Sequence, residues 1–390
     1  MSDLKVGVVI PAAGRGTRLG GPVSKQYRKI LDKPLLMYSL EAFLDITWIN
    51  KIILVVDSME KVQAMLQEFG YETSPRIVLV KGRETRHRSI KAGVLELQKQ
   101  FSDEVNVVVV HDGARPIVPP SLVMELVRGA EQHGAAGAVR PLVSTVLRVT
   151  SDSFLADSLD RSLHVASETP QAFQLEILTM AYNKCSEEDL NHGTECLALV
   201  LKYCGTKAKL IPGPEDLWKV THKQDLYLAA VTIKRKNNNV CIISTEKNAI
   251  INTLVDSLNI SAAQTVRHVV SPEDTDSNNT DQHTFNIVIC FHQQEIQDTQ
   301  LVDFAPMLDT VNQGLIIHVI WNASVEGLQT KSVYSLQKSG RSMSHHYDKL
   351  RKGVVVIHCI SGNEESQLIS LLTTLVQADP LTFSGQTLFI

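Results

Sequence analysis

The sequence predicts an α/β protein of two domains, each built on a mostly parallel sheet with helices on both faces. Short runs rich in valine and isoleucine alternate with stretches of helical periodicity, which is the pattern of βαβ units. The alternation runs through two regions of the chain, and a polar, basic stretch separates them. With 390 residues, 44% of them hydrophobic, each region is long enough to bury a core of its own.

Four apolar runs in the first region are predicted to be strands: "KVGVVI", "KIILVV", "RIVLV" and "VNVVVV". The intervening stretches "LLMYSLEAFL", "MEKVQAMLQEF" and "RSIKAGVLELQKQF" have the spacing of helices that bury one face. Helical connections of this kind join parallel strands, so the carboxyl ends of the strands lie at one edge of the sheet. We expect a ligand to bind at that edge.

The βαβ rhythm stops after Pro141. The stretch "STVLRVTSDSFLADSLDRSLHVASETPQAF" favours a pair of extended segments that leave the body of the domain over another βαβ unit. We predict a projecting β arm at about residues 141–173. An arm of this kind often embraces a partner subunit.

The second region begins after "KRKNNN", residues 234–239, which we interpret as a linker. The predicted domains are therefore residues 1–233 and 240–390. "VCIIS", "FNIVIC", "GLIIHVIW" and "KGVVVIHCI" are predicted strands, and "AIINTLVDSL" and "ESQLISLLTTLV" are predicted helices. Residues 272–284 are polar and of low complexity, so we expect a mobile loop there.

Charge and composition bound the class of protein. The chain has 38 basic and 42 acidic residues and a net charge of −4, so nothing global favours binding to nucleic acid or to an anionic membrane. No apolar stretch approaches the roughly 18 residues of a membrane span, and the start of the chain lacks a signal-peptide pattern. We expect a cytosolic protein, with a longer natural N-terminus still open. The six cysteines are scattered, without zinc-binding spacing, and are predicted to be reduced thiols.

A glycine-rich loop, "PAAGRGTRLGGPVSKQY", follows the first strand directly. Its glycines let the backbone approach a ligand, and successive N–H groups in such a loop bind anions. Arg18 and Lys25 add positive charge at the same place. The spacing matches neither the P-loop nor the dinucleotide-binding fingerprint. From the loop alone, an anion site and a plain turn with surface cations both remain open.

Six further segments follow in order: "GRETRHRSI", "VHDGARP", "STVLR", "LDR", "TPQAF" and "WKVT". Together with the opening loop, they resemble the cytidylyltransferases that join a sugar or polyol phosphate to CTP, the family containing the methylerythritol-phosphate and ribitol-phosphate enzymes. The resemblance covers residues 6 to about 230. It implies a Rossmann-like nucleotidyltransferase domain, in which an acceptor phosphate attacks the α-phosphorus of CTP and pyrophosphate leaves.

The resemblance also implies which residues meet the nucleotide. Catalytic positive charge on the triphosphate and the transferring phosphate would come from Arg18, Lys25 and Lys219. Asp112 would hold Mg²⁺ on the phosphates. The residues expected to contact CTP are Ala12, Ala13, Gly14, Gly16, Gly82, Arg83, Arg86, Ser89 and Asp112.

Three other positions are implied to bind the acceptor. Arg115 adds positive charge near the acceptor phosphate. Thr145 and Arg161, on the arm, would reach across a two-fold interface into the site of the neighbouring subunit. The resemblance therefore implies a homodimer formed through the arm.

The choice of acceptor is where this sequence departs from the isoprenoid branch of the family. Val143 and Ser144 replace an arginine–aspartate pair that is frequent there, and Cys196 stands where an acidic residue is common. We expect D-ribitol 5-phosphate as the acceptor, with CDP-ribitol as a product for glycan synthesis. Two alternatives stay open: methylerythritol phosphate as the acceptor, and a non-catalytic scaffold built on decayed enzyme domains.

The second domain resembles a degenerate short-chain dehydrogenase. Residues 314–362 contain an Asn-x-Ser turn with Ser324 and a Tyr-x-x-x-Lys pair, Tyr334 and Lys338, which would share one helical face. "TEKNAI", after the first strand, lacks the glycines that a dinucleotide pyrophosphate needs. We therefore expect no reductase activity. A decayed reductase also favours the ribitol branch, because some bacterial ribitol-phosphate cytidylyltransferases are paired with such an enzyme.

Overall fold

The computed structural model describes most of the chain, which divides into two compact units, Met1–Ala230 and Val231–Ile390. Both units contain a sheet flanked by helices, so the predicted α/β class is confirmed. The described residues are 5–14, 23–244, 249–261, 263, 265–269, 285–292, 304, 307–308, 314–321, 330–347, 352–359, 365–379 and 381–390.

The first unit contains eleven of the described strands and, with the helix that continues past its end, eight of the described α-helices. Its strands are β1 Val6–Ala12, β2 Lys29–Ile30, β3 Lys33–Pro34, β4 Ile49–Val56, β5 Ile77–Lys81, β6 Val107–Val110, β7 Ala135–Pro141, β8 Val146–Val149, β9 Leu155–Leu159, β10 Val165–Gln174 and β11 Lys209–Pro212. Its helices are α1 Leu35–Leu44, α2 Met59–Glu68, α3 Arg86–Phe101, α4 Pro120–His133, α5 Leu175–Lys184, α6 Glu187–His192, α7 Cys196–Cys204 and α8 Lys223–Asn237.

Seven of these strands form the main sheet, in the order β11-β7-β10-β6-β1-β4-β5. All neighbours are parallel except β10, which runs antiparallel to β6 and β7. At the centre, Val9 aligns with Ile53 of β4 and Val110 of β6, and all three are fully buried. Central strands of a sheet covered on both faces consist of nearly continuous valine and isoleucine, because neither face meets water.

Short polar residues decide where several helices begin. Ser58 caps α2 by accepting from the Lys61 N–H at 3.3 Å, and Thr85 caps α3 in the same way, from Arg88. The α4 helix ends at Gly134, whose φ of +88° reverses the chain into β7. These boundaries bring the loops after β1, β4, β5 and β6 to one edge of the sheet.

The projecting arm is a separate two-stranded antiparallel sheet of β8 and β9. It is shorter than the predicted 141–173. Val165 already pairs with Pro141 of β7, and Phe173 pairs with Val108 of β6, so β10 belongs to the main sheet throughout. The prediction overran because an exposed strand of the arm and a buried strand of the sheet have similar β-forming sequences.

The second unit has one described sheet of six parallel strands, in the order β13-β12-β14-β15-β16-β17. This order is general to doubly wound sheets, and the likeness to short-chain dehydrogenases stays a prediction. The strands are β12 Asn239–Ile243, β13 Thr265–Val269, β14 Ile287–His292, β15 Gly314–Trp321, β16 Lys352–Cys359 and β17 Thr387–Phe389. The helices are α9 Ala249–Ser261, α10 Thr330–Tyr347 and α11 Glu365–Gln377.

The predicted linker at 234–239 is not a separate segment. Residues 234–237 form the last turn of α8, and β12 begins at Asn239. Its basic residues suit a helix end, because positive side chains there interact favourably with the helix dipole. The predicted mobile loop at 272–284 lies outside the described residues.

Two further observations concern the whole chain. The six cysteines all lie in described segments and form no disulfide with one another. Among the helices that the structure describes, none combines the length and apolarity needed to cross a bilayer.

Candidate active site

A cavity of about 670 Å³ opens at the carboxyl edge of the main sheet. It lies at the ends of β1, β4, β5 and β6, where the sequence predicts a ligand. Its wall carries several cationic side chains, among them Lys25, Arg86 and Lys219. The residues that line it are Pro11, Ala12, Ala13, Gly14, Lys25, Gln26, Asp57, Lys81, Gly82, Arg83, Glu84, Thr85, Arg86, Ser89, Asp112, Gly113, Ala114, Lys219 and Thr221.

The opening loop is held by a side chain that the sequence analysis missed. Gln26 is buried and donates from Nε2 to the carbonyl oxygens of Ala12, at 2.6 Å, and Gly14, at 3.0 Å. Among the described residues, a Cβ placed on Gly14 would meet nothing within 4 Å. Gly16 and Arg18 lie outside the described residues.

Gly82, which directly follows β5, packs against Ala13 of the opening loop. Its N–H donates to the Val56 carbonyl at 2.8 Å, and a Cβ there would lie 2.1 Å from the Cβ of Ala13. Ser89 fixes the next residue, since its Oγ accepts from the Arg83 N–H at 3.0 Å and lies 3.3 Å from the Arg83 carbonyl. This corner of the cavity is therefore lined by backbone and small side chains, which suits a flat ring.

Asp112 is the charged centre of the cavity. It follows β6 and is buried, and three cations surround its carboxylate. Oδ1 accepts from Arg86 Nε at 3.1 Å and lies 3.0 Å from Arg86 Nη2, while Oδ2 accepts from Lys219 Nζ at 2.7 Å. Burial alone would raise the pKa of Asp112, but Arg86, Lys219 and Arg115 hold it well below its ordinary value. The site therefore keeps an ionised carboxylate beneath a cationic surface.

The position of Arg86 follows from the start of α3. It is the first residue of that helix, after the Thr85 cap, and its Nη1 donates to the Thr194 carbonyl at 3.2 Å. Burial works against its charge, but Asp112 raises the pKa of Arg86 above the ordinary value. Behind it, Cys196 Sγ lies 3.9 Å from Nη1. Cys196 is thus a neighbour of the Arg86–Asp112 pair, and its link to acceptor choice remains a prediction.

Lys219 lies near the C-terminal end of the first unit in the sequence. The Val220 N–H donates to the Ala114 carbonyl at 3.0 Å, which fastens this segment to the loop after Asp112. Lys25 Nζ lies 3.5 Å from the Val220 carbonyl, so the opening loop meets the same segment. The fold thereby brings Lys25, Lys219 and Asp112 together in one cavity, as the resemblance implies.

Arg115 is a different case. It is buried, and its guanidinium contacts Glu168 and donates to the Leu217 carbonyl at 2.6 Å. Its Nε is 3.6 Å from Asp112 Oδ2. It does not line the cavity in the described part of the chain. Arg115 lies behind Asp112 and pairs with Glu168, and its expected positive charge near the acceptor phosphate stays a prediction.

Thr145 and Arg161 lie on the arm and are exposed. Arg161 Nη1 donates to the Val143 carbonyl at 2.5 Å, so both residues sit near the base of the arm. Neither lines the cavity of its own chain among the described residues. Their predicted role depends on a second subunit.

Asp57 and Lys81 also line the cavity and were not predicted. Asp57 ends the turn after β4, accepts from the Tyr27 hydroxyl, and its backbone carbonyl accepts from Lys81 Nζ. A polar residue directly after a buried parallel strand is a signal that could have found Asp57. Gln26 had no such signal, because its role depends on the folded path of the opening loop.

Of the residues proposed for the second unit, the structure describes Tyr334 and Lys338. Tyr334 is 68% exposed on α10, and Lys338 is exposed on the same helix. Ser324 and residues 245–248 lie outside the described residues.

Comparison with known proteins identifies the family. The profile described as 2-C-methyl-D-erythritol 4-phosphate cytidylyltransferase matches residues 6–236. A D-ribitol-5-phosphate cytidylyltransferase of Xenopus tropicalis is 46% identical over 248 residues, which are 62% of this chain and 60% of the relative. The protein of the same name from Homo sapiens is 44% identical over 245 residues, 61% of this chain and 54% of the relative. The chain thus spans little more than half the length of these animal relatives.

The bacterial relatives are shorter and match along their whole length. A 2-C-methyl-D-erythritol 4-phosphate cytidylyltransferase of Caldanaerobacter subterraneus subsp. tengcongensis is 35% identical over 234 residues, 60% of this chain and 100% of the relative. Among solved structures, the 4-diphosphocytidyl-2C-methyl-D-erythritol synthase of Anaerococcus prevotii has a TM-score of 0.50 at 21% identity, covering 60% of this chain and 97% of that chain. This last likeness concerns the fold. The chain belongs to the 2-C-methyl-D-erythritol 4-phosphate cytidylyltransferase family.

Proposed function

We propose that this protein transfers the cytidylyl group of CTP to D-ribitol 5-phosphate, giving CDP-ribitol and pyrophosphate, with CDP-ribitol then serving glycan synthesis in the cytosol. The observation that carries the reaction type is the cavity in which Arg86 and Lys219 pair with Asp112 and which Lys25 also lines. The names of the animal relatives support the acceptor.

The chemistry asks the protein mainly for positive charge and alignment. An oxygen of the acceptor phosphate forms a bond to the α-phosphorus of CTP, the bond from that phosphorus to the β-phosphate oxygen breaks, and pyrophosphate takes the electron pair. Two anions must approach, so cations fixed in a partly dehydrated cavity stabilise the transition state more than they would in water. Lys25 and Lys219 supply that charge from opposite ends of the unit, and Arg18 is proposed to add to it.

The cytosine is proposed to occupy the corner formed by Ala13, Gly82 and Ser89. The close approach of Gly82 to Ala13 leaves a narrow wall of backbone, and the Ser89 hydroxyl holds the loop in place. A larger purine would clash with such a wall. Arg83 and the backbone of Ala12 and Gly14 complete the expected nucleotide contacts.

Mg²⁺ fits this site only in partnership with the nucleotide. Among the described residues no group of three metal-ligating side chains is present, and Asp112 is the one carboxylate held among the catalytic cations. Mg²⁺ prefers one or two carboxylates together with phosphate oxygens and water, so Asp112 would hold it when CTP is bound. The ion would then neutralise charge on the phosphates.

The arm is proposed to form a homodimer and to complete the acceptor site. Several large apolar side chains of the arm are exposed, including Phe154 at 70% and Leu163 at 79%. A two-stranded ribbon with exposed apolar side chains is marginal in water and gains stability when a partner covers it. A partner's arm would bring Thr145 and Arg161 to the cavity.

Methylerythritol phosphate is a second candidate acceptor. The observation that favours it is the full-length match to the Caldanaerobacter relative. A non-catalytic scaffold is disfavoured, because a buried cluster of charges costs free energy and has no use in a passive fold.

Product analysis tests the proposal directly. The purified full chain is incubated with CTP, Mg²⁺ and, in parallel, D-ribitol 5-phosphate or methylerythritol phosphate, and the products are analysed by mass spectrometry. CDP-ribitol formed faster than the methylerythritol product supports the proposal. The opposite preference supports the second candidate, and absence of both products contradicts the proposed activity.

A further inference from the structure

Glu168, on β10, is a buried carboxylate outside the cavity. It is 6% exposed, and each of its oxygens contacts a different arginine. Oε2 accepts from Arg115 Nη1, and Oε1 accepts from Arg140 Nε at 2.8 Å and Nη2 at 2.6 Å. One negative charge thus holds two guanidinium groups side by side.

Both arginines also donate hydrogen bonds to backbone carbonyls of the same short segment. Arg140 Nη1 donates to the Glu215 carbonyl at 2.9 Å, and Arg115 Nη1 donates to the Leu217 carbonyl at 2.6 Å. Residues Glu215–Leu217 form a single 3₁₀ turn, and Lys219 lies two residues after its end. The backbone that carries Lys219 is therefore held by two arginines that share one counter-charge.

The backbones of the two arginines lie in different parts of the fold. The Arg115 N–H donates to the Asp112 carbonyl at 3.0 Å, so Arg115 belongs to the loop that carries the central carboxylate. Arg140 is the last residue but one of β7, where the chain leaves the main sheet for the arm. Glu168 consequently connects the Asp112 loop, the base of the arm and the Lys219 segment.

We propose that Glu168 is a positioning residue that sets the place of Lys219 against Asp112 and ties both to the base of the arm. The inference rests on the proposed function, because that function gives Lys219 its role in cytidylyl transfer. Without the carboxylate, the buried Arg115 guanidinium and the partly buried Arg140 guanidinium would lose the counter-charge that they share and would separate. The carbonyls of Glu215 and Leu217, and Lys219 with them, would move as a result.

A network that only stabilises the fold would behave differently. Loss of such a network would lower the free energy of unfolding of the whole unit. It would not selectively raise amide hydrogen exchange in residues 215–219 or selectively lower kcat. Two readouts separate the roles: local amide hydrogen exchange in residues 215–219, and the division of an activity change between kcat and the KM for CTP.

The test uses Arg140→Gln and Glu168→Gln in the full chain, with Arg88→Gln as the matched control. Arg88 pairs with Glu187 away from the cavity, and its side chain is 28% exposed, the same value as for Arg140. In both test variants we expect amide exchange in 215–219 to rise about 10-fold, since that segment loses its anchors. We expect kcat to fall by about 10-fold or more, because small misplacements of catalytic groups are costly, while the KM for CTP changes by less than about threefold. Arg88→Gln should change none of these.

The double variant Glu168→Gln/Arg140→Gln adds an independent check. Removing the carboxylate and one of its two cations together should impair kcat less than the product of the two single effects, since the residues act in one network. If Glu168→Gln does not fold, Arg140→Gln alone decides, because Glu168 then still neutralises Arg115.

Wild-type exchange in 215–219 for Arg140→Gln would overturn the proposal, whatever the activity. A fall in kcat equal to that of Arg88→Gln would overturn it as well. Should the wild-type chain transfer no cytidylyl group to any acceptor, the proposed function fails, and the exchange measurement still decides whether Glu168 positions the Lys219 segment.

Discussion

Lys25 and Lys219 illustrate how single residues acquire their roles in this protein. Each is an ordinary lysine by its local sequence, and Lys25 contacts the carbonyl of Val220, 195 residues further along the chain. Their proposed use comes from their meeting in one cavity, where Lys219 also helps to keep Asp112 ionised. The chemistry of the site therefore depends on a few charges that separate segments bring to one place.

The first prediction concerns Lys25. Lys25→Ala should lower kcat by at least about 100-fold, since removal of one group that stabilises transition-state charge typically costs about 3–4 kcal/mol. Steady-state assays with CTP and the acceptor measure the change. Lys29→Ala, four residues away and paired with Glu68 at the surface, is the control and should keep wild-type turnover. A Lys25→Ala enzyme that turns over at the wild-type rate contradicts the assigned role.

The second prediction concerns two histidines buried in the first unit. Burial lowers the pKa of His87 to about 4, helped by Arg86, and burial also lowers the pKa of His111 to about 4. Because both folded values lie below the unfolded value of about 6.5, the unfolded chain binds more protons between these limits. The contribution of these two histidines to the free energy of unfolding should therefore fall as the pH drops from about 6.5 to 4, by up to about 3 kcal/mol for each histidine.

Urea unfolding of the full chain at several pH values, followed by a signal from the first unit, checks this. His87→Gln removes one of the two groups, so its unfolding free energy should depend less steeply on pH in that window than that of the wild type. His192, exposed on α6, gives the control variant His192→Gln, which should leave the pH dependence unchanged. An identical slope in wild type and His87→Gln would contradict the prediction.

At the scale of elements, the loops after four parallel strands build the cavity, and the arm stands apart from it. β8 and β9 pair only with each other, and their sequence leaves large apolar side chains exposed. The Glu168 network reaches the base of this arm through Arg140. The arm, although its two strands form a separate sheet, is thus connected to the site through its base.

The third prediction concerns the arm. Arg161→Ala should raise the KM for the acceptor by about 10-fold or more, because an arginine–phosphate contact is lost, and should leave the KM for CTP nearly unchanged. Arg128→Ala, an exposed arginine on α4, should change neither value.

Mixing variants then tests whether the arm acts in the neighbouring subunit. Arg161→Ala and Lys25→Ala chains, impaired in different ways, should regain activity together, since one site of a mixed dimer receives an intact core and an intact arm. Arg161→Ala mixed with the double variant Arg161→Ala/Lys25→Ala should not. If mixed dimers form and activity does not return, the arm does not complete the neighbour's site.

At the scale of the whole molecule, the two units differ in what they present. The first unit gathers charged side chains at the carboxyl ends of its strands, and the second leaves Tyr334 and Lys338 exposed on α10. Hydride transfer needs a nicotinamide held against the substrate carbon, and exposed residues on one helix do not provide that enclosure.

The fourth prediction follows for the second unit. The full chain should show no saturable NADPH binding by calorimetry at millimolar cofactor, and no NADPH oxidation with ribulose 5-phosphate. CTP, titrated into the same sample, is the positive control for an intact protein. Saturable NADPH binding that Lys338→Ala weakens would make the protein bifunctional and would overturn this expectation.

Much of the fold could be predicted from the sequence because strand and helix patterns are local. The runs that became β1 and β6 are apolar along their whole length, as strands buried on both faces must be, and the helices between the strands show their own period. The end of the arm and the linker were misplaced. β10 is defined by its pairing with a neighbouring strand, and α8 continues through residues 234–237, and local composition reveals neither fact.

The sequence by itself determined the α/β class, the family and the place of the site, because glycine-rich loops, strand ends and ordered motifs are written in short segments. Only the tertiary structure decided that Gln26 holds the opening loop, that Asp112 is surrounded by Arg86 and Lys219, and that Arg115 turns to Glu168. The physical reason is that charge pairing acts between atoms a few ångströms apart, while its partners can be far apart in the chain, as Lys219 is from Asp112, at a separation of 107 residues.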